Sequence, residues 1–210
     1  MKGAGVTVYA RTATFRGRAD TVDKGVAYLT DEAVPAILAM PRCVGMSVLA
    51  DKKTGLCIAT TAWESREAMH ASVSKIRPIR ERIARTLEGT AEVEEWQVAA
   101  MDRRHGSAPA ACVRVSWLRL PSAEADPVIS DFIAETLPAL RVIRGFCSAS
   151  MLVNREWGRA AITVAYDSPE AAERRLARSD GKHHVAPNIS VVRTFDLVMP
   201  HLRVPDLASY

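Results

Sequence analysis

Ala62-Trp63-Glu64-Ser65-Arg66-Glu67-Ala68 returns 103 positions later as Ala165-Tyr166-Asp167-Ser168-Pro169-Glu170-Ala171. Extended N-terminally, the two stretches align without a gap back to Arg11 and Arg114. Arg11, Arg16, Asp23, Glu32, Pro35, Ala36, Ser47, Leu49, Gly55 and Thr60 each meet an identical residue in the second copy. With Ala62, Ser65, Glu67 and Ala68 the identities are far more than the roughly four that shared composition supplies. Phe15/Leu118, Val26/Ile129, Ile37/Leu140 and Trp63/Tyr166 are conservative pairs. The chain therefore reads as a duplication joined in the polar stretch Asp102 to Pro109, with repeats over residues 1–103 and 104–210, the second carrying a degenerate second helix.

That reading divides a chain whose length of 210 residues fits one large domain or two of about 100. At 48% hydrophobic and 25% charged residues it is a globular composition. No run approaches the roughly 18 apolar residues of a membrane span, and Met1 to Val6 lacks the apolar segment of a secretion signal, which predicts a cytoplasmic protein without a membrane partner. The net charge of +4 comes from interspersed basic and acidic residues, and without a concentrated basic face nucleic acid is not an expected partner. Cys43, Cys57, Cys112 and Cys147 form no C-x-x-C pair and read as reduced, mostly buried thiols.

Each repeat reads as strand, helix, strand, strand, helix, strand. In the first, Val6 to Phe15 alternates as a strand, and Val22, Val26, Leu29, Ala33 and Ile37 recur at helical spacing. Val44 to Ala50 and Leu56 to Trp63 form a hairpin, with Gly55 and its counterpart Gly158 at the turn. Ser65 and Ser168 are the expected N-caps of a second helix with Met69, Val73, Ile76, Ile83 and Leu87 on one side. Glu92 to Ala100 and Ile189 to Val198 close the two repeats. Pro35 and Pro138, late in the first helix of each repeat, predict a kink, because proline donates no backbone hydrogen bond.

A β-α-β-β-α-β unit places both helices on one sheet face. Both parities of the strands are apolar or small here, so the other face also needs cover. Two ferredoxin-like repeats packed sheet to sheet, an α+β intramolecular dimer, satisfy that need.

Met40-Pro41-Arg42-Cys43-Val44-Gly45-Met46, a hairpin, and Thr60-Thr61-Ala62-Trp63-Glu64-Ser65-Arg66-Glu67-Ala68-Met69 resemble the antibiotic biosynthesis monooxygenase superfamily, as do Ile143 to Ser148 and Ala165 to Ala171. The resemblance spans nearly the whole chain. It implies a tandem dimeric α/β barrel, and it implies activities that include cofactor-independent quinone-forming oxygenation, haem degradation and isomerisation. The resembled haem degraders carry Asn on the first strand, and Trp and then His on the second helix. This chain has Ala13 or Ser116, Ser72 or Arg175, and Glu81 or His184 at those positions, so His184 alone matches.

Cofactor-free oxygenation asks for an apolar pocket, a group assisting deprotonation, and donors that stabilise a carbanion or peroxide. Arg11, Arg114 and His70 are the catalytic candidates. An arginine on a half-buried strand requires an anion, either a ligand oxyanion or a carboxylate such as Glu32/Glu135 or Glu95. His70 borders the apolar stripe of the second helix and reads as a general base or a solvated surface residue. Tyr9, Phe15, Trp63, Trp96, Trp117 and Tyr166 are the aromatic candidates for substrate contact, with core packing as the alternative role of large aromatics on strands. Trp157 reads as a surface turn residue, and His183-His184 as an exposed pair or a haem or metal site. The resemblance implies a monooxygenase-like protein acting on a small aromatic or polyketide-like metabolite without flavin or metal. Its alternatives are a non-catalytic binding or interaction protein of the same fold and, third, a haem protein. A further homodimer is compatible with either.

Overall fold

The computed structural model describes residues 7–103, 112–178 and 189–202. Strand β1 is Tyr9–Arg16, followed by helices α1 (Val22–Tyr28) and α2 (Val34–Leu38), strands β2 (Cys43–Asp51) and β3 (Leu56–Trp63), helices α3 (Arg66–Ala71) and α4 (Val73–Thr86), and strand β4 (Thr90–Arg103). The second series is β5 (Cys112–Arg119), α5 (Ala125–Asp131), α6 (Leu137–Arg141), β6 (Phe146–Asn154), β7 (Arg159–Tyr166), α7 (Pro169–Arg178) and β8 (Ile189–Leu202). From Tyr9 to Trp63 every element bound recurs 103 residues on. The strands hydrogen-bond in the order β1-β3-β2-β8-β5-β7-β6-β4, a closed barrel, and the fold class is α+β.

Two compact units divide the chain, Met1–Trp96 with Leu197–Pro205, and Gln97–Asp196 with Asp206–Tyr210. The divisions fall inside the last strand of each repeat. In the first unit β3 lies antiparallel between β1 and β2, with Arg11 opposite Thr61 and Ser47 opposite Thr60. Its helix-side core gathers Phe15, Leu29, Ile37, Met46, Trp63, Met69, Ile83 and Leu87. In the second unit β7 pairs with β5 and β6 in the same way. Leu118, Phe132, Leu140, Met151 and Tyr166 lie in its core.

The expected kink at Pro35 and Pro138 takes a specific form. Leu29–Ala33 and Phe132–Thr136 are π-helical turns leading into α2 and α6, with the proline at the start of the next helix. Proline supplies no N–H to the α ladder, and the wider turn accommodates the lost bond. The second helix of the first repeat also departs from one continuous stripe. It breaks at Ser72 into α3 and α4, so Val73 is exposed while Met69, Ile76, Ile83 and Leu87 are buried.

Gly55 and Gly158, at φ +74° and +59°, hold the left-handed position of the two hairpin turns. They differ in surroundings. A Cβ at Gly55 would press into the Gly17 backbone and come within 3.0 Å of the Ala19 nitrogen, whereas one at Gly158 would meet nothing closer than 3.6 Å. Gly158→Ala is therefore expected to cost about 1 kcal/mol through its left-handed backbone. Gly55→Ala should cost at least twice that, measured by urea unfolding.

Candidate functional site

The cluster around Arg11 begins with strand parity. Tyr9, Arg11, Ala13 and Phe15 share the helix-facing side of β1, and Arg11 is 4% exposed. A guanidinium this deep requires a counter-charge. Arg11 donates from Nε and Nη2 to Glu95 Oε1 at 3.2 and 2.8 Å. From Nη1 it donates to Ser72 Oγ at 3.1 Å. Of the two carboxylate assignments open in the sequence, Glu95 is the partner observed.

Ser72 is where the helix breaks. Its hydroxyl donates to the Met69 carbonyl at 2.6 Å, three residues back, and competes with the helical ladder. The same oxygen receives Arg11, so the break presents a hydroxyl to the strand. The second Glu95 oxygen lies 2.9 Å from His70 Nε2. Partial burial alone would raise the Glu95 carboxyl. Hydrogen bonds from Arg11 and His70, aided by their charges, outweigh it and hold Glu95 below the ordinary carboxylate range.

Beside this cluster opens a cleft of about 370 Å³. The α2–β2 loop supplies Met40, Pro41 and Arg42, the end of β3 supplies Trp63, and α3 and α4 supply Ser65, Glu67, Ala68, Ala71, Ser72 and Lys75. Trp63 is fully buried at its back, with Nε1 donating to Thr61 Oγ1 at 3.1 Å. Ser65 caps α3 by accepting from the Ala68 N–H at 3.1 Å. The backbone N–H of Glu67, and then the Ser65 hydroxyl, keep the Glu67 carboxyl below its usual range. Ser72 belongs to both the cleft and the Arg11 cluster.

The sequence candidates fall in several places. Arg11 does not line the cleft and meets it only through Ser72, and His70, half-exposed and turned to Glu95, does not line it either. Tyr9, Phe15 and Trp63 share the helix-side cluster, with the Arg66 guanidinium 5.6 Å from the Tyr9 ring centroid. Trp96 is buried elsewhere, donating to Thr12 Oγ1 at 2.9 Å. In the second unit Tyr166 lies in the core, Trp117 packs edge-on to Phe195 at 6.5 Å, and Trp157 is an exposed turn residue. Arg114 is half-buried and stands opposite Thr194. His183 and His184 lie outside the described residues.

Arg42, Glu67, Ala71 and Lys75 are cleft residues that the sequence candidates omit. The one signal for Arg42 was its alignment with Gly145.

Among the described residues no three His, Cys, Asp or Glu side chains gather to hold a metal, and no helix is long and apolar enough to cross a membrane. The lining of the cleft includes no histidine or cysteine. All four cysteines are free. Burial pushes Cys57 up to about 11, with Asp51 adding to the shift, and burial also raises Cys43 and Cys112. These three are not thiolates at neutral pH.

Removing Glu95 strands a buried cation, so Glu95→Ala is expected to cost about 2 kcal/mol in denaturant unfolding, reduced from a fully buried pair by the carboxylate's partial exposure. Thr194→Ala, beside Arg114, should stay within about 0.5 kcal/mol. The sign of the pH effect follows from the lowered carboxyl. Its contribution is complete above the ordinary carboxylate range and disappears as pH falls through the lowered value. Glu95→Gln should flatten the acid limb of the stability profile.

No family model matches the chain. The uncharacterized protein Rv2557 of Mycobacterium tuberculosis (strain ATCC 25618 / H37Rv) is 41% identical, over 97% of this chain and 93% of its own length. Rv2558 of the same strain is 39% identical, over 98% of this chain and 89% of its own. Among solved structures, a monooxygenase-type protein from Lactobacillus acidophilus NCFM superposes with a TM-score of 0.69 at 10% identity, covering 91% of this chain and 93% of the other. An anthrone oxidase-like protein gives 0.67 at 12% identity, covering 100% and 99%. A Listeria monocytogenes ferredoxin-fold protein related to antibiotic biosynthesis monooxygenases gives 0.50 at 8% identity, covering 93% and 98%. These structural likenesses concern the fold. The fold is similar to that of a ferredoxin-fold protein related to antibiotic biosynthesis monooxygenases, and the chain belongs to the family of the mycobacterial proteins Rv2557 and Rv2558.

Proposed function

We propose that the first-unit cleft binds a small aromatic or polyketide-like metabolite and that the protein oxygenates it without flavin or metal. The observation that carries this reading is the cleft itself, with Trp63 behind it, Met40, Ala68 and Ala71 along it, and Ser72 joining it to the buried Arg11. A volume near 370 Å³ falls in the range of small-molecule sites. The Ser72 hydroxyl has committed its proton to Met69, so toward the cleft it can only accept, and it suits a phenolic or enolic O–H. Arg42 and Lys75 favour the deprotonated ligand electrostatically.

An anthrone is the test substrate suggested by the likeness to the anthrone oxidase-like protein. Its ring C–H loses a proton, the carbanion joins dioxygen as a peroxide, and protonation with loss of water leaves the quinone. Anthrone and dioxygen thus give quinone and water, and the substrate supplies the electrons.

A second reading, binding without turnover, is favoured by one observation. Arg42, Glu67 and Lys75 are the titratable residues lining the cleft, and Glu67 is held ionised, which makes it a weak base. Oxygen uptake with dithranol, followed together with quenching of tryptophan fluorescence, separates the two. Uptake and quenching, both lost in Ala71→Trp, are the expected result. Quenching without uptake selects the binding protein, and absence of both overturns the site.

A further inference from the structure

The α2–β2 loop has the same backbone course in both units and different occupants. Arg42 adopts φ +61° and its counterpart Gly145 adopts φ +91°. Both carbonyls accept an equivalent bond, from Glu64 N–H at 3.1 Å and from Asp167 N–H at 2.9 Å. The left-handed region suits glycine and strains a residue with a Cβ. The second repeat carries its loop arginine one position earlier, as Arg144 opposite Pro41, where the backbone is not left-handed. The first repeat therefore places an arginine at the strained position when an unstrained one lies adjacent.

The surroundings show what this position gains. At Gly145 an added Cβ would press into Asp167 Oδ1 and come within 2.7 Å of the Ala171 Cβ, so the second-unit loop closes on its helix. The matching positions in the first unit are Glu64 and Ala68. There Arg42 and Ala68 both line the cleft. Strain of this kind persists where the fold retains it for a function.

Charge points the same way. Arg16, Arg18, Lys52, Arg77 and Arg82 in the first unit each reach a carboxylate within 3.7 Å. Arg42 and Lys75, like Lys53, Arg80 and Arg85, have no ion-pair partner among the described residues, and of these five only Arg42 and Lys75 line the cleft. The one carboxylate lining the cleft is Glu67, fully exposed. A cleft to which Arg42 contributes a guanidinium and Lys75 an ammonium, with Met40, Trp63, Ala68 and Ala71 also lining it, matches a planar aromatic body bearing a carboxylate.

We infer that Arg42 is a specificity-determining residue that, with Lys75, selects an aromatic carboxylate for the first-unit cleft. This deepens the proposed function and rests on the cleft being a small-molecule site. Arg42 lines the cleft from a left-handed backbone position, and the second unit has glycine at the matching position and so no equivalent side chain.

The test titrates the full-length protein with 2-naphthoate and with its neutral isostere 2-naphthamide, followed by tryptophan fluorescence and by NMR of the ligand. The parent should bind naphthoate at least about tenfold more tightly than the amide, since a charge-assisted pair is lost. Arg42→Gly should erase that preference while the melting temperature stays constant or rises by up to about 3 °C, because glycine relieves the strained position. Arg42→Lys should retain part of the preference, and Lys75→Gln should reduce it. Equal binding of both probes by the parent overturns the carboxylate inference and leaves the cleft standing. Unchanged naphthoate affinity in Arg42→Gly also overturns it. Failure of both probes to bind overturns the cleft together with the inference.

Discussion

A charge on a strand closed to water must carry its counter-charge inward with it, and Arg11 imposes that condition on the first unit. Its neighbour β3 is buried along nearly its whole length on both parities, with Cys57, Ala59 and Trp63 in the helix-side core and Leu56, Ile58 and Ala62 also buried. Arg11 takes Glu95 from β4 and Ser72 from the helical break. One guanidinium thus ties a strand, the last strand of its repeat, and the start of α4. The Ser72 hydroxyl that receives Arg11 also lines the cleft, so the break joins the ion pair to one wall of the cleft.

The strand and helix order was legible because the two similar halves of the sequence supplied two readings of one pattern. Trp63/Tyr166 and Ser65/Ser168 fixed the second hairpin strand and the following cap in both copies, and the observed bounds repeat at the same offset. The need of Arg11 for an anion was also legible, since burial of a charge follows from strand parity. The π turns were less so. A proline predicts a lost bond, but the choice of a wider turn over a kinked α-helix depends on how Leu29 and Phe132 reach their cores. The break at Ser72 left no periodic signature, because Met69, Ile76 and Ile83 keep helical spacing across it. Arg42 was hidden for a different reason. Side-chain patterns carry no record of φ, and the aligned Gly145 was the single trace of a left-handed backbone.

The two repeats have diverged at the cluster more than in the frame. Thr194 stands opposite Arg114 in the ladder, where the first repeat uses Glu95 against Arg11. At the helix the sequence has Glu173 and Arg175 where the first repeat has His70 and Ser72. Arg114 is correspondingly half-buried, whereas Arg11 is sealed. Losing the carboxylate without losing the arginine is tolerable only where water still reaches the charge. The greater exposure of Arg114 is the physical counterpart of the missing Glu95.

The compact units do not coincide with the repeats, because β4 contributes Gln97–Arg103 to the second unit, where it pairs with β6. Asp102 on that segment holds Arg141 from α6, with Nε donating at 2.7 Å. The first repeat cannot be cut free at the join without removing a strand segment from the second unit's ladder. The second repeat has its strand pairing and an apolar core without counterparts of Glu95, Ser72 or Arg42 at the matching positions. The first repeat, with its ladder secured, retains a buried ion pair, a broken helix and a strained arginine, features that cost stability and are concentrated around one cleft.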